Sequence, residues 1–351
     1  MQIRENIPLA PLTTLGVGGA ARYLTKVSMD AEAREAVEFA RERQLPLFVL
    51  GGGSNLVVAD TGFPGVVLQM AVRGIEESRA QDKKVFTVGA GEDWDRFVAH
   101  TVARNCAGLE CLSGIPGTVG GTPVQNVGAY GQEVASTLVN VEALDLTTGQ
   151  SRSIPTSQCG FAYRTSRFNT VERGGWVILR ASFALESNGA PAIRYADLLN
   201  IFGARQPAIA EVREAVLEIR RKKGMVIVDD DPDCRSAGSF FKNPTLTPAA
   251  YNELQDRARR RGAAVPSYPA LASQQKVPAA WLVEQAGFSK GYTCGRVGIS
   301  RKHALAIVNR GGATAAEVIA LKNRIQHAVR EQFGVDLYPE PIFLGFEGNT
   351  P

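Results

Sequence analysis

Gly108–Gly131, GLECLSGIPGTVGGTPVQNVGAYG, holds seven glycines and a single charged residue, Glu110, with no Lys or Arg. Glycine at this density lets the backbone take positive φ and approach a flat or phosphorylated ligand closely, and its ordering is entropically costly unless a ligand offsets the cost. Ordinary connections have a median of about 4–6 residues, and an uncharged loop of this length is hard to solvate. The stretch is therefore read as a ligand cradle. Lacking cations, it can hold a phosphate only through backbone N–H groups.

The chain around it has 351 residues, which predicts two or three domains. A hydrophobic share of 44% supports packed cores, and 39 Lys plus Arg against 35 Asp plus Glu leave a net charge of +4, too mild to imply a nucleic-acid partner. No apolar run approaches the roughly 18–20 residues that span a bilayer, and MQIRENIPLAPL lacks the apolar core of a signal peptide, so a cytoplasmic protein without a membrane segment is expected. Five cysteines without CxxC spacing, and three scattered histidines, indicate neither a disulfide framework nor a metal site.

In chain order, Ala33, Val37 and Ala40 predict a helix over 28–44, with Asp30 and Glu32 in its first turn. Leu47–Leu50 reads as a strand running into Gly51-Gly52-Gly53-Ser54-Asn55, and Leu56–Val58 and Gly65–Met70 as further strands. The glycine turn is not a dinucleotide fingerprint, because the glycines are consecutive and a strand follows them; no GxxxxGK[ST] occurs either. Strands at 85–89, 138–146 and 176–185 and helices at 94–104 and 207–223 fill the middle of the chain. A boundary is expected at the acidic run near 228–233. Beyond it lie helices near 248–261, 278–286 and 314–333, a strand at 304–308 and a closing strand at 337–346.

Seven elements, in this order, carry a resemblance: Thr14–Gly19, Leu50–Asn55, Ile115-Pro116-Gly117, Gln125–Gly131, Tyr163-Arg164 with Ser166–Phe168, Ala237–Pro244, and Pro339-Glu340. Each is weak alone. Together they resemble the UDP-N-acetylenolpyruvoylglucosamine reductases, flavoenzymes of peptidoglycan precursor synthesis and so of cell wall, shape and division. The resemblance implies an α+β chain: the two-part FAD-binding fold of the vanillyl-alcohol oxidase group plus a C-terminal α+β substrate-binding domain. Residues 1–72, joined by a C-terminal strand at 336–351, form FAD-binding subdomain 1, residues 73–226 subdomain 2, and residues 235–335 the substrate-binding domain.

It further implies non-covalent FAD, NADPH as co-substrate, a UDP-sugar substrate and a monomer. FAD is expected to contact Gly51, Gly52, Gly53, Ser54, Asn55, Ile115, Pro116, Gly117, Gly120, Gly121, Gln125, Asn126, Gly128 and Ala129. No flavin-tethering His lies in these loops, and Cys111 is just outside the packed glycines. Arg164 matches the family's arginine, a planar cationic fork for the substrate carboxyl. Glu340 matches its partner carboxyl, which in protonated form donates to the same oxygens. Ser239 matches the residue that protonates the carbanion. On its own, a serine in AGSFF is the pattern of a turn or capping hydroxyl. Lys223 matches a diphosphate-binding lysine and Tyr195 a substrate-covering tyrosine of the longer family type; Tyr130 and Asn243 are further substrate contacts. The basic run 220–223 is by itself also what neutralises a helix C-terminus. Some relatives carry Gln where His303 sits. The absence of a flavin-tethering His in the glycine loops and the presence of AGSFFKN argue against an oxidase of the same fold; a non-catalytic binder would lack at least one of Arg164, Ser239 and Glu340.

Overall fold

A computed structural model describes residues 1–228 and 230–346. Asp229 of the acidic boundary run and residues 347–351 of the closing segment lie outside the described residues. The chain forms β1 (Ile3–Pro8), β2 (Ala20–Val27), α1 (Asp30–Glu42), β3 (Leu47–Leu50), β4 (Leu56–Val58), β5 (Phe63–Met70), β6 (Ile75–Ala80), β7 (Lys83–Gly89), α2 (Trp94–Ala103), β8 (Cys106–Ala107), β9 (Gly128–Ala129) and β10 (Gln132–Glu133). It continues with β11 (Leu138–Asp145), β12 (Ser151–Pro155), β13 (Trp176–Ser187), α3 (Ala196–Phe202) and α4 (Ile209–Lys222). The last part contains β14 (Thr245–Leu246), α5 (Pro248–Arg260), β15 (Tyr268–Pro269), β16 (Gln275–Lys276), α6 (Ala279–Gln285), β17 (Thr293–Cys294), β18 (Val297–Ile299), β19 (Ile307–Asn309), α7 (Ala315–Phe333) and β20 (Ile342–Leu344). Among the described residues no helix is long and apolar enough to cross a membrane.

The chain divides into two compact units, the first made of Met1–Ile7, Ala21–Gly53 and Pro64–Val226. Its smaller sheet has the order β1-β2-β5-β3, with β3 and β5 parallel, Leu47 opposite Val66 and Leu50 opposite Gln69. Helix α1 joins β2 to β3. It starts where the Glu32 carboxylate accepts from the Ser28 and Met29 amides, and it buries Ala33, Ala36, Val37 and Ala40. The larger sheet, β12-β11-β13-β7-β6 with β8 also on β13, is antiparallel and packs the aromatic group Phe86, Trp94, Phe97 and Phe183. Such ring pairs are worth about 0.5–1.5 kcal/mol each beyond burial. Helix α2, capped by Asp93 accepting from the Arg96 amide at 2.8 Å, thereby fixes the entry to the glycine stretch.

The second unit comprises Pro8–Ala20, Ser54–Phe63 and the chain from Ile227 on. Here β4 pairs in parallel with β20, Leu56 opposite Ile342, and two small sheets have the orders β14-β16-β15 and β17-β18-β19. Helix α7 organises the core through Val318, Leu321, Ile325, Val329 and Phe333. Thr314 and Glu317 cap it reciprocally, and Gly334 at φ +69 ends it. The segment after Asp229 is fastened: Lys302 donates to Asp231, and buried Asp233 accepts from the Arg301 amide at 3.0 Å and Nε at 2.9 Å.

Two expected strands are shorter than their apolar runs. The strand expected at 304–308 begins only at Ile307, because His303–Ala306 form a turn, with Leu305 N donating to His303 Nδ1 at 3.0 Å and Ala306 N to His303 O at 3.2 Å. The closing strand expected at 337–346 is reduced to Ile342–Leu344, since Pro339 and Pro341 offer no N–H to a ladder. Helix α3 and the charged edge strand β6 lacked a periodic signal.

Candidate active site

In the first unit, the turn after β3 packs directly on the glycine stretch. A Cβ on Gly52 would lie 2.6 Å from Gly117 Cα, one on Gly51 2.6 Å from Thr118 Oγ1, and one on Gly120 2.5 Å from Ala90 Cβ. Gly117, at φ +133, is also where a side chain would be strained. The second loop is held by Trp94 N donating to Gly117 O (3.1 Å), Val119 N to Glu92 O (2.9 Å) and Gly120 N to Ala90 O (2.9 Å). At this contact Thr118 Oγ1 is buried with no hydrogen-bond partner among the described residues. An orphaned hydroxyl between two glycine loops free of cations fits a diphosphate held by hydrogen-bond donors. We expect Gly52→Ala to weaken FAD binding about 10- to 100-fold, because the methyl meets backbone that cannot rotate away and overpacking costs about 1–3 kcal/mol. The dissociation constant of FAD, read by flavin fluorescence, checks this; a parent value would mean that the loops need not touch.

Behind the cradle, Asp95 accepts from Gly114 N at 2.6 Å and from Arg213 Nη1 and Nη2 at 2.6 and 2.8 Å. Burial pushes the Asp95 carboxyl up, but the bonds from Arg213 and Gly114 outweigh it and hold the pKa below the ordinary range. Helix α4 carries Arg220 seven residues after Arg213; its Nη2 donates to Met225 O at 2.8 Å, and its Nε is buried with no hydrogen-bond partner among the described residues. Arg213, Arg220 and Asp95 were missed by sequence reading. Only the seven-residue spacing on α4 hinted that both arginines face one way.

The end of the glycine stretch is shaped by backbone in the left-handed region at three non-glycine residues, Asn126 (φ 44), Tyr130 (φ 47) and Arg164 (φ 55). Such residues cost of order 1–3 kcal/mol each and persist where surroundings impose them. Buried Asn126 donates to Glu133 Oε2 at 3.0 Å and Ala162 O at 3.1 Å and accepts from Ala135 N at 3.0 Å. Its side chain is thus spent on joining this loop to the Arg164 loop, so any contact of Asn126 with a cofactor falls to its backbone. Ser166 Oγ donates to Val124 O at 2.6 Å, and Asn169 Nδ2 donates to Arg164 O at 3.2 Å. A Cβ on Gly128 would stand 3.3 Å from Arg164 Nη1, so the small residue there makes room for the guanidinium.

Around Tyr130 the first unit gathers its cations. Lys223 Nζ lies 5.7 Å from the Tyr130 ring centroid, and Tyr195 meets that ring edge-on at 5.4 Å. Burial lowers the Arg220 pKa, partly offset by Tyr130, and the like charge of Arg164 acts in the same direction as burial. Arg164, Arg220 and Lys223 therefore make a cationic cluster suited to an anionic ligand.

In the second unit, Ala237–Pro244 is pinned from both sides. Phe240 and Phe241 are buried, Phe240 N donates to Leu305 O at 2.8 Å, and Lys242 N donates to Tyr338 O at 2.9 Å. Glu340 N donates to Phe240 O at 2.9 Å, which places Ser239 and Glu340 on adjoining segments. Asn55 Nδ2 donates to Glu340 O at 3.3 Å, and Ile342 N donates to Asn55 O at 2.9 Å. Ser54 and Asn55 belong to this unit, whereas Gly51–Gly53 belong to the first. Asn243 Oδ1 accepts from Ala279 N at 2.9 Å at the start of α6, so part of its amide is structural.

A glycine cradle with an unpaired hydroxyl lies within residues 21–154, which match the model of an FAD binding domain. The class is that of FAD-dependent oxidoreductases. Residues 230–344 match the model of the C-terminal domain of UDP-N-acetylenolpyruvoylglucosamine reductase. The reductase of that name from Thermobifida fusca is 46% identical over 349 residues, 97% of this chain and 98% of the relative. That of Streptomyces avermitilis is 44% identical over 99% of this chain and 96% of its own length. The crystal structure of UDP-N-acetylenolpyruvylglucosamine reductase from Thermus caldophilus superimposes with a TM-score of 0.67 at 28% identity, covering 98% of this chain and all of the other. The chain belongs to the UDP-N-acetylenolpyruvoylglucosamine reductase family.

Proposed function

We propose that the protein reduces UDP-N-acetylglucosamine enolpyruvate to UDP-N-acetylmuramate with NADPH, in peptidoglycan precursor synthesis. The observation that carries this is the cluster of Arg164, Arg220 and Lys223 about Tyr130, which matches a substrate bearing both a diphosphate and a carboxylate. Residues 1–72 with the closing segment and residues 73–226 form the two-part FAD-binding fold, the latter also supplying Tyr130, Arg164, Tyr195 and Lys223 to the sugar nucleotide, and residues 235–335 form the substrate-binding domain. The diphosphate of FAD is held by the backbone of Gly51–Gly53 and Gly114–Gly121 with the Thr118 hydroxyl. The cofactor stays untethered, since burial pushes the thiol of fully buried Cys111 up to about 12 and keeps it from acting as a nucleophile.

FAD, once bound, supplies the hydride it takes from NADPH. Hydride addition to the methylene carbon of an enol ether leaves negative charge on the neighbouring carbon, conjugated with the carboxylate. The planar fork of Arg164 holds that carboxylate and Glu340 shares its oxygens; the Ser239 hydroxyl then donates its proton to the carbon. Tyr130, Tyr195, Asn243 and Lys223 hold the nucleotide.

The test is the anaerobic absorbance spectrum of the FAD-loaded protein. NADPH should bleach it, and the enolpyruvyl UDP-sugar should restore it without oxygen. Recovery only on admitting oxygen would identify an oxidase instead. We expect Lys223→Ala to weaken UDP-sugar binding by about 1.5–3 kcal/mol while bleaching by NADPH stays near the parent rate, since one charge-assisted bond to phosphate is lost. Equal damage to both phases would refute that role.

A further inference from the structure

Four cations, Arg220 to Lys223, close α4, and they are not equivalent. Arg221 and Lys222 pair with Glu218 on their own helix, at 3.9 and 3.2 Å. Lys223 instead reaches another element: its Nζ donates to Asp197 Oδ2 at 2.8 Å, with both side chains a little over one-third exposed. Asp197 lies in the first turn of α3, two residues after Tyr195. The body of α3 is anchored through buried Leu198 and Phe202 against Val212 and Val216. Lys223 and Tyr195 both converge on the Tyr130 ring, so the carboxylate occupies the ammonium at the place where a ligand phosphate would.

A carboxylate and a diphosphate repel one another, and at short range they compete for the same ammonium protons. We propose that Asp197 is a positioning residue that holds Lys223 in a neutral pair, and that the diphosphate of the UDP-sugar binds by taking the ammonium from it. This rests on Lys223 being a phosphate ligand. Asp197 then orients Lys223 beside Tyr130 in the unliganded protein and sets an exchange cost that every nucleotide diphosphate must meet. The anchored α3 body confines this exchange to side chains.

The experiment is calorimetric titration of UDP into the FAD-loaded protein at low ionic strength, for the parent, Asp197→Asn, Lys223→Ala and the double variant. Asp197→Asn preserves size at a partly exposed position and should tighten UDP about two- to fivefold, the range set by a solvent-exposed ion pair. The gain should vanish when Lys223 is also Ala, and shrink as salt is raised. In steady state it should appear as a lower KM for the enolpyruvyl substrate without a matching rise in kcat. Unchanged or weaker UDP binding by Asp197→Asn, or an undiminished gain in the double variant, overturns the proposal. If Lys223→Ala alone leaves UDP affinity at the parent value, the phosphate role of Lys223 falls and the exchange with it. If Lys223→Ala weakens UDP but Asp197→Asn does not tighten it, only the exchange falls.

Discussion

Ser239→Ala is expected to leave bleaching by NADPH at the parent rate and to slow recovery by the enolpyruvyl substrate about 10²–10⁴-fold, the worth of a positioned general acid. The substitution removes one hydroxyl from a segment whose backbone is pinned by Phe240 N to Leu305 O and Glu340 N to Phe240 O, so the surrounding chain has no reason to move. NADPH oxidation precedes any substrate carbanion, and a variant lacking only the proton donor should be damaged in the second phase alone. Ser239→Cys should recover part of the rate, because a thiol with pKa near ~8.5 still donates a proton. Anaerobic stopped-flow absorbance separates the two phases. Recovery at the parent rate in the alanine variant would make Ser239 a structural hydroxyl and pass the proton to Glu340 or a water.

Arg164→Lys tests a different requirement. The charge is kept and the left-handed backbone at φ 55 costs Lys what it costs Arg, so the loop held by Asn126, Ser166 and Asn169 should keep its shape. What disappears is the planar fork that pairs two donors with a carboxylate. We expect kcat/KM for the enolpyruvyl substrate to fall about 10²–10³-fold, the usual effect of removing one preorganised donor from developing charge. The absorbance change with NADPH alone should remain. A loss below fivefold would show that charge without geometry suffices, and would remove Arg164 from the role of carboxylate fork.

Much of this molecule is readable along the chain because the signals are local. The helix periods of α1, α2, α4 and α7 mark buried faces that the structure contains, and the density of glycine between 108 and 131 marks a backbone meant for close approach. The order of seven short elements pointed to the reductase family to which the chain belongs. Local reading erred where a single residue overrides an apolar run: Pro339 and Pro341 cut the closing strand to Ile342–Leu344, and the turn at His303 delays β19 to Ile307.

By itself the sequence determined the residue types at the site, the glycine spacing, the helical stripes and the family. Tertiary structure alone decided which atoms those residues meet. Periodicity reports neighbours three, four or seven residues apart, but Asn126 joins Ala162 across 36 positions, Asp95 joins Arg213 across 118 and Lys223 joins Asp197 across 26. Partners that far apart are chosen by the folding of sheets and helices around two cores, and no local pattern encodes that choice. For the same reason Thr118, an ordinary residue within a glycine run, shows its unpaired hydroxyl only once Gly51 has packed against it.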